Sequence, residues 1–202
     1  MLRAIAEEIS LRLVANKIIT IENREFYIYG IELVLNDIFI LAAVALIAVL
    51  SGTVVPSFAY VVVFCSLRSY VGGYHCKTFL RCFCTSVSLY LSMVLLNFLV
   101  PDLKFIISCI IMAISVPLIL VFSPVDYGNA SASEAEMKKF RVLSIVLTST
   151  ASAAYVVFCF FFSDISFAIS WAVFAVFILM ALSLVKKKER IEAKNDDEKT
   201  DA

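Results

Sequence analysis

The sequence predicts an all-α, polytopic membrane protein with about six transmembrane helices and an N-terminal amphipathic interfacial helix. Hydrophobic residues make up 62% of the 202-residue chain and its mean hydropathy is +0.96, well beyond the roughly half-apolar composition of soluble domains. The apolar residues gather in runs, several long enough to cross a hydrocarbon core of about 30 Å. Finally, 17 Lys and Arg balance 17 Asp and Glu, and nearly all of these charges sit in short polar segments between the runs. That balance gives no case for nucleic acid as a partner; the lipid bilayer is the expected surrounding. One membrane domain over 1–185 followed by a charged tail, 186–202, is the expected organisation. A cleavable secretory signal is not expected, because a mixed-charge segment of about thirty residues precedes the first apolar run.

Residues 1–19 read as an interfacial helix. Leu2, Ile5, Ile9 and Leu13 recur at a helical period, flanked by Arg3, Glu8, Arg12 and Lys17, and Asn16 limits that stripe to about three turns. A short soluble cap on the bundle is the alternative. Glu22 to Glu25 read as a charged linker. The first span, 31–50, opens on Tyr29-Gly30-Ile31-Glu32 and carries Asn36 and Asp37. Glu32 and Asn36 share a helix face. Acidic groups within a span are expensive and usually face a bundle interior or water. Glu32 could reach the headgroups, whereas Asp37 lies about 7.5 Å deeper at 1.5 Å per residue.

The second run, 53–67, is short and contains Pro56, so it could re-enter instead of crossing. Charge placement decides. With spans at 31–50, 53–67, 79–99, 103–122, 142–162 and 165–185, one side of the membrane holds 4, 3, 3 and 6 Lys and Arg in successive segments, and the other holds only Lys104. If the second run does not cross, the division becomes 5 against 12. Basic residues concentrate on the cytoplasmic side, so six spans in the cell membrane, with both termini and the loop after the second span cytoplasmic, is the expected topology. The fourth span ends at Ser123-Pro124-Val125-Asp126, turn chemistry that stops a helix, and 131–139 could form a short surface helix. Small and hydroxylic residues in the fifth span predict close helix packing. The last span is mostly apolar and is expected to face lipid or a second copy of the chain in a homodimer. The far end of the tail reads as disordered.

The chemistry gathers at Arg68-Ser69-Tyr70-Val71-Gly72-Gly73-Tyr74-His75, with Cys82 seven residues after the chain's single histidine. An imidazole near a thiol is the minimum kit for a cysteine nucleophile, one taking the proton and the other attacking a carbonyl. An ordinary inter-helix loop is the competing reading. On one straight helix His75 and Cys82 would stand about 10.5 Å apart, too far for proton transfer, so a working pair requires the chain to fold back. Gly72 and Gly73 supply a permissive backbone for that. A helix starting near Thr78 would place Cys82 close to its first turn, where the dipole and Arg81 favour a thiolate. Cys84 points about 200° away from Cys82. His75, Cys76, Cys82 and Cys84 could offer soft metal ligands, but their spacing matches no common zinc pattern. Rossmann, Walker and His-Glu-x-x-His patterns are missing, and no metal or cofactor is expected.

Arg68-x3-Gly72-Gly73-x-His75-x6-Cys82, preceded by Tyr29-Gly30-Ile31-Glu32 and followed by Ser123-Pro124-Val125-Asp126, resembles the accessory gene regulator B (AgrB) family over about residues 5–185. The resemblance implies a membrane-embedded thiol protease of Gram-positive bacteria that matures a quorum-sensing autoinducing peptide. It implies His75 as base and Cys82 as nucleophile, with Arg68, Gly72 and Gly73 in the active-site block, and an AgrD-like precursor as partner. The implied reaction is attack by Cys82 near the carboxyl end of the precursor to give a thioester, which a cysteine or serine of the precursor displaces to close a thiolactone or lactone. Glu32 and Asp37 have no role by resemblance. The expectation from their chemistry is that one of them orients His75, as a carboxylate steadies an imidazole elsewhere; helix packing or interfacial hydration is the alternative. A non-catalytic peptide exporter or membrane chaperone, and a thiol acyltransferase, are the competing functions.

The charge asymmetry yields a direct test of topology. A membrane-impermeant thiol reagent should leave Cys76 and Cys82 unlabelled in intact cells and label them in inverted vesicles. Labelling from outside would contradict the six-span arrangement.

Overall fold

The computed structural model describes residues 2–72, 79–125 and 134–200. It shows seven α-helices and, among the described residues, no strand: α1 (Leu2–Ala15), α2 (Arg24–Ser51), α3 (Val54–Val71), α4 (Phe79–Leu99), α5 (Lys104–Phe122), α6 (Glu134–Phe161) and α7 (Ser163–Thr200), with a 3-10 turn at Pro101–Leu103. Six of them, α2 to α7, are long and apolar enough to cross a membrane. Thr78, near which α4 is expected to start, lies outside the described residues.

α1 ends where Asn16 folds its amide back onto the Arg12 carbonyl at 2.9 Å and Lys17 takes a positive φ. Its small residues Ala6 and Ser10 are buried, with Ser10 accepting from Arg24 Nε at 3.2 Å, while Ile5, Ile9 and Leu11 stay exposed. Of the apolar stripe, Ile5 and Ile9 are therefore open while Leu13 is half-buried; an open apolar edge is what an interfacial helix uses. The expected linker over Glu22 to Glu25 is only partly one, since helix α2 already begins at Arg24.

α3 is long and apolar enough for a full crossing. Pro56 sits in its first turn, where backbone N–H groups have no intrahelical partner and a missing one costs little. Arg68 to Val71 continue the helix to 18 residues, about 27 Å. The turn before it is closed by Gly52, at φ 69°, and by Thr53 N–H donating to Ala48 O at 3.0 Å. Ser51, Thr53, Ser57 and Tyr90 hydroxyls then run as a hydrogen-bonded chain from this turn into α4.

The last span corrects the expectation that it faces lipid or a partner. α7 is the axis of the bundle: 56% of its apolar window is buried, against 17–28% for the other five spans. Phe167, Ala168, Trp171, Ala172 and Ala175 enter one buried cluster with residues of α2 to α5, while Ile169, Val173, Val176 and Met180 enter a second with residues of α3, α5 and α6. A helix apolar on every side suits a central position as well as a lipid-facing one, and alanines at 168, 172 and 175 let neighbours approach closely. Trp171 Nε1 donates to the Leu89 carbonyl at 3.0 Å, which satisfies the indole inside the core. Of the small and hydroxylic residues of α6, Ser144 and Thr148 are buried against the bundle, whereas Ser149, Thr150 and Ala153 are exposed.

The tail also departs from expectation, because α7 continues as helix to Thr200. No Gly or Pro interrupts 163–200, and the Lys, Glu, Arg and Ala of the tail have high helix propensity.

Helix ends meet in two sets. Lys104 Nζ at the start of α5 pairs with Asp164 at the start of α7 at 2.6 Å. At the other end, Val125 N–H donates to the Val71 carbonyl at 3.1 Å, and Ser123 Oγ meets Ser144 Oγ at 2.9 Å. The stretch after α5 is thereby latched onto the end of α3. Gly72 makes the latch possible. Its φ of 78° and ψ of −163° belong to a region that is essentially glycine-only, and a Cβ there would stand 2.5 Å from the Val125 carbonyl oxygen.

Gly52 serves as the comparison, since it also has positive φ but a Cβ there would meet nothing within 4 Å. Gly52→Ala should cost about 1–2 kcal/mol from the backbone alone. Gly72→Ala should cost more, because the latch must also open. Thermal unfolding of the two variants in the same detergent checks this; equal losses would show that Val125 does not constrain the turn.

Candidate active site

The thiol expected to react lies at the start of a helix and faces inward. Cys82 is the fourth residue of α4 and is half-buried, while Cys84 is exposed. The divergence is the one helical periodicity demands of residues two apart. Asn36 Nδ2 of α2 donates to Cys82 Sγ at 3.5 Å. Asn36 itself is buried, and its Oδ1 has no hydrogen-bond partner among the described residues. This amide is a functional candidate to which the sequence alone assigns no role. Its only signal there is a polar residue inside an apolar span, and the neighbouring carboxylates carry the stronger one.

Arg68 stands in the last turn of α3, half-buried. It is close enough to act electrostatically on Asp37, which is exposed on α2 directly after Asn36. The structure therefore gathers Asn36 and Cys82 at the α2–α4 contact and Asp37 and Arg68 on the α2–α3 side. Cys65, exposed on α3, also feels the Asp37 charge.

Glu32 lies one turn before Asn36 on the same face and belongs to a different electrostatic setting. Arg3 of α1 pairs with Glu7 at 3.1 Å. That hydrogen bond, with the charges of Glu7, Glu25 and Glu32, pushes its guanidinium above the ordinary value. Glu32 thus belongs to the charged seam between α1 and α2. An open apolar groove of about 560 Å³ runs along the same seam, lined by Ile9, Phe26, Gly30, Ile31 and Val34 among others, and none of the site residues lines it.

Gly72 closes α3 and carries the latch to Val125. Gly73, His75 and Cys76 lie outside the described residues, as does Asp126, so the expected meeting of His75 with Cys82, and of either carboxylate with His75, falls beyond what the geometry covers.

No curated protein and no solved structure matches the chain. The family described as accessory gene regulator B matches residues 6–184, most of the chain. With six apolar helices and that match, this multi-pass membrane protein belongs to the accessory gene regulator B family, a membership that fits a role in autoinducing-peptide processing.

Proposed function

We propose that the protein is a membrane cysteine endopeptidase that cleaves an AgrD-like precursor through a thioester on Cys82 and helps close the product into a thiolactone or lactone. The observation that carries this reading is the inward-facing Cys82 sulfur, held by a buried amide from another helix, while Cys84 faces out. A cysteine used only as a small hydrophobe needs no such partner. His75, seven residues earlier in sequence, is the proposed base, and the active site faces the cytoplasm.

The chemistry then runs in two exchanges. The imidazole takes the thiol proton, the sulfur bonds to the scissile carbonyl carbon, and the collapsing adduct expels the amine of the precursor's tail with that proton. A thiol of the precursor next displaces Cys82 and closes the ring. Exchange of one thioester for another is near energy-neutral, so the site must chiefly hold the second thiol close and keep water out. A position at the mouth of a bundle meets both needs, because an amphipathic precursor can lie in the interface beside it. Arg68, Gly72 and Gly73 support the loop, and a carboxylate at Asp37 or Glu32 is the proposed orienting group for His75.

The division of labour sets the test. Cys82→Ala should abolish precursor cleavage in proteoliposomes at every pH. His75→Ala should slow cleavage near pH 7 by about 10²–10⁴-fold, the usual contribution of a general base, because an unassisted thiol is only a few per cent ionised there. Raising the pH towards about 9 should restore part of the rate, since solvent then deprotonates the thiol. Cys76→Ala and Cys84→Ala should stay active. Cleavage by Cys82→Ala would favour a protein without a covalent step, and loss in Cys84→Ala would favour a site needing several sulfurs.

A further inference from the structure

We infer that Asn36 is a catalytic residue of this same site: its side-chain amide donates to the Cys82 sulfur at rest and to the oxyanion that forms when that sulfur attacks the precursor. The inference rests on the Cys82 reading above and adds to it the group that stabilises the developing charge.

The placement of Asn36 is costly unless it serves a purpose. It stands twelve residues, about 18 Å, from the start of α2, inside a helix that reads as a membrane span. Only 6% of it is exposed. A buried amide loses its hydration and needs partners in return; its Nδ2 has the Cys82 sulfur, a weak acceptor, at 3.5 Å, and the amide also interacts with the neighbouring Asp37 carboxylate. Its Oδ1 is buried with no partner among the described residues. An amide placed only to join two helices would be expected to spend both ends on them. Here the donating end is aimed at the reacting atom, and the oxygen, without a partner among the described residues, can accept from a main-chain N–H beside the scissile bond of a bound precursor.

The geometry suits charge that appears during reaction. When Cys82 Sγ bonds to the carbonyl carbon, the π pair moves onto the oxygen, which is then two bonds from the sulfur. A donor already directed at the sulfur is within reach of that oxygen. As the adduct collapses, the pair returns to the carbonyl, the C–N bond breaks, the amine leaves with the proton carried by the imidazole, and the thioester remains. A donor fixed by packing on α2 need not reorganise at that moment, which is the condition under which such groups act most strongly. Asp37 and Arg68 are close enough to act on one another, and the amide is a neutral donor at the sulfur.

Two reactions of the same thiol separate this role from a structural one. Peptide cleavage passes through an oxyanion, whereas alkylation of Cys82 by iodoacetamide does not. Full-length Asn36→Ala in proteoliposomes should lose about 10²–10³-fold in kcat for precursor cleavage, the usual cost of one oxyanion donor, with KM little changed. Alkylation of Cys82, followed by peptide mapping, should slow by less than about tenfold, the effect of one neutral hydrogen bond. Asn36→Gln, which keeps the donor on a longer stem, should recover part of the cleavage. Should Asn36→Ala fail to accumulate, Asn36→Leu, which fills the space with an apolar group, carries the same comparison. A parallel fall in both reactions, a rise in KM alone, or unchanged cleavage would overturn the inference. Cleavage that requires Cys82 but ignores Asn36 would sink this inference alone, whereas cleavage without Cys82 would sink the peptidase reading itself.

Discussion

Burial of α7 on all sides is the constraint from which the rest of the arrangement follows. In a bilayer, apolar surface gains nothing by leaving lipid for protein, so helices associate through close packing and interhelical hydrogen bonds. α7 meets both requirements, with alanines at 168, 172 and 175 on its packed faces and Trp171 bonded to the Leu89 carbonyl of α4. α3, α5 and α6 pack directly on it. α2 instead packs on α1, α3 and α4, which puts it at the periphery. The helix that supplies Asn36 is thus held mainly by its neighbours, with Val44 reaching the cluster around the axis. Its contact with Cys82 is a polar link between α2 and α4, so the site lies where a peripheral helix meets the bundle.

The position of the site at a helix end has the same origin. Irregular backbone cannot face hydrocarbon, so turns and loops are confined to the mouths of the bundle or to protected interior. The α3–α4 connection is fixed at its first residue, where Gly72 adopts a conformation closed to other residues and presses against the Val125 carbonyl. The chain after α5 is therefore fixed against the end of α3. At the opposite mouth, the basic residue Lys104 is neutralised by Asp164. The two ends of the bundle differ in chemistry, one holding a thiol, an amide and an arginine, the other a closed ion pair.

The six spans are legible in the sequence because a run of about twenty apolar residues is too long for an ordinary core helix and matches the bilayer thickness. α3 is the hard one, since Pro56 and Arg68 make its apolar run look short. Only charge placement argues for a crossing, and the helix accommodates Pro56 in its first turn. The centrality of α7 is not legible, because lipid and a protein core select the same residues. The tail misleads for a different reason: its composition resembles that of disordered chains, while the helix propensity of the same residues carries the helix on. At the site, periodicity alone separates Cys82 from Cys84. Asn36 is visible as a polar residue in an apolar run but gains a role only in three dimensions, because its partner lies 46 residues away and only the packing of α2 on α4 joins them. The glycine pair reads in sequence as permissive backbone, whereas the need at Gly72 is set by Val125, more than fifty residues on.

On the proposed mechanism Cys82 becomes covalently bonded to the precursor. Rapid acid quenching of the protein with its precursor, followed by intact-mass measurement and peptide mapping, tests this most directly. The expected result is a transient adduct equal to the precursor without its carboxyl-terminal tail, located on Cys82 and removed by hydroxylamine as a thioester should be. Cleavage proceeding with no adduct, or an adduct on Cys84, would contradict it.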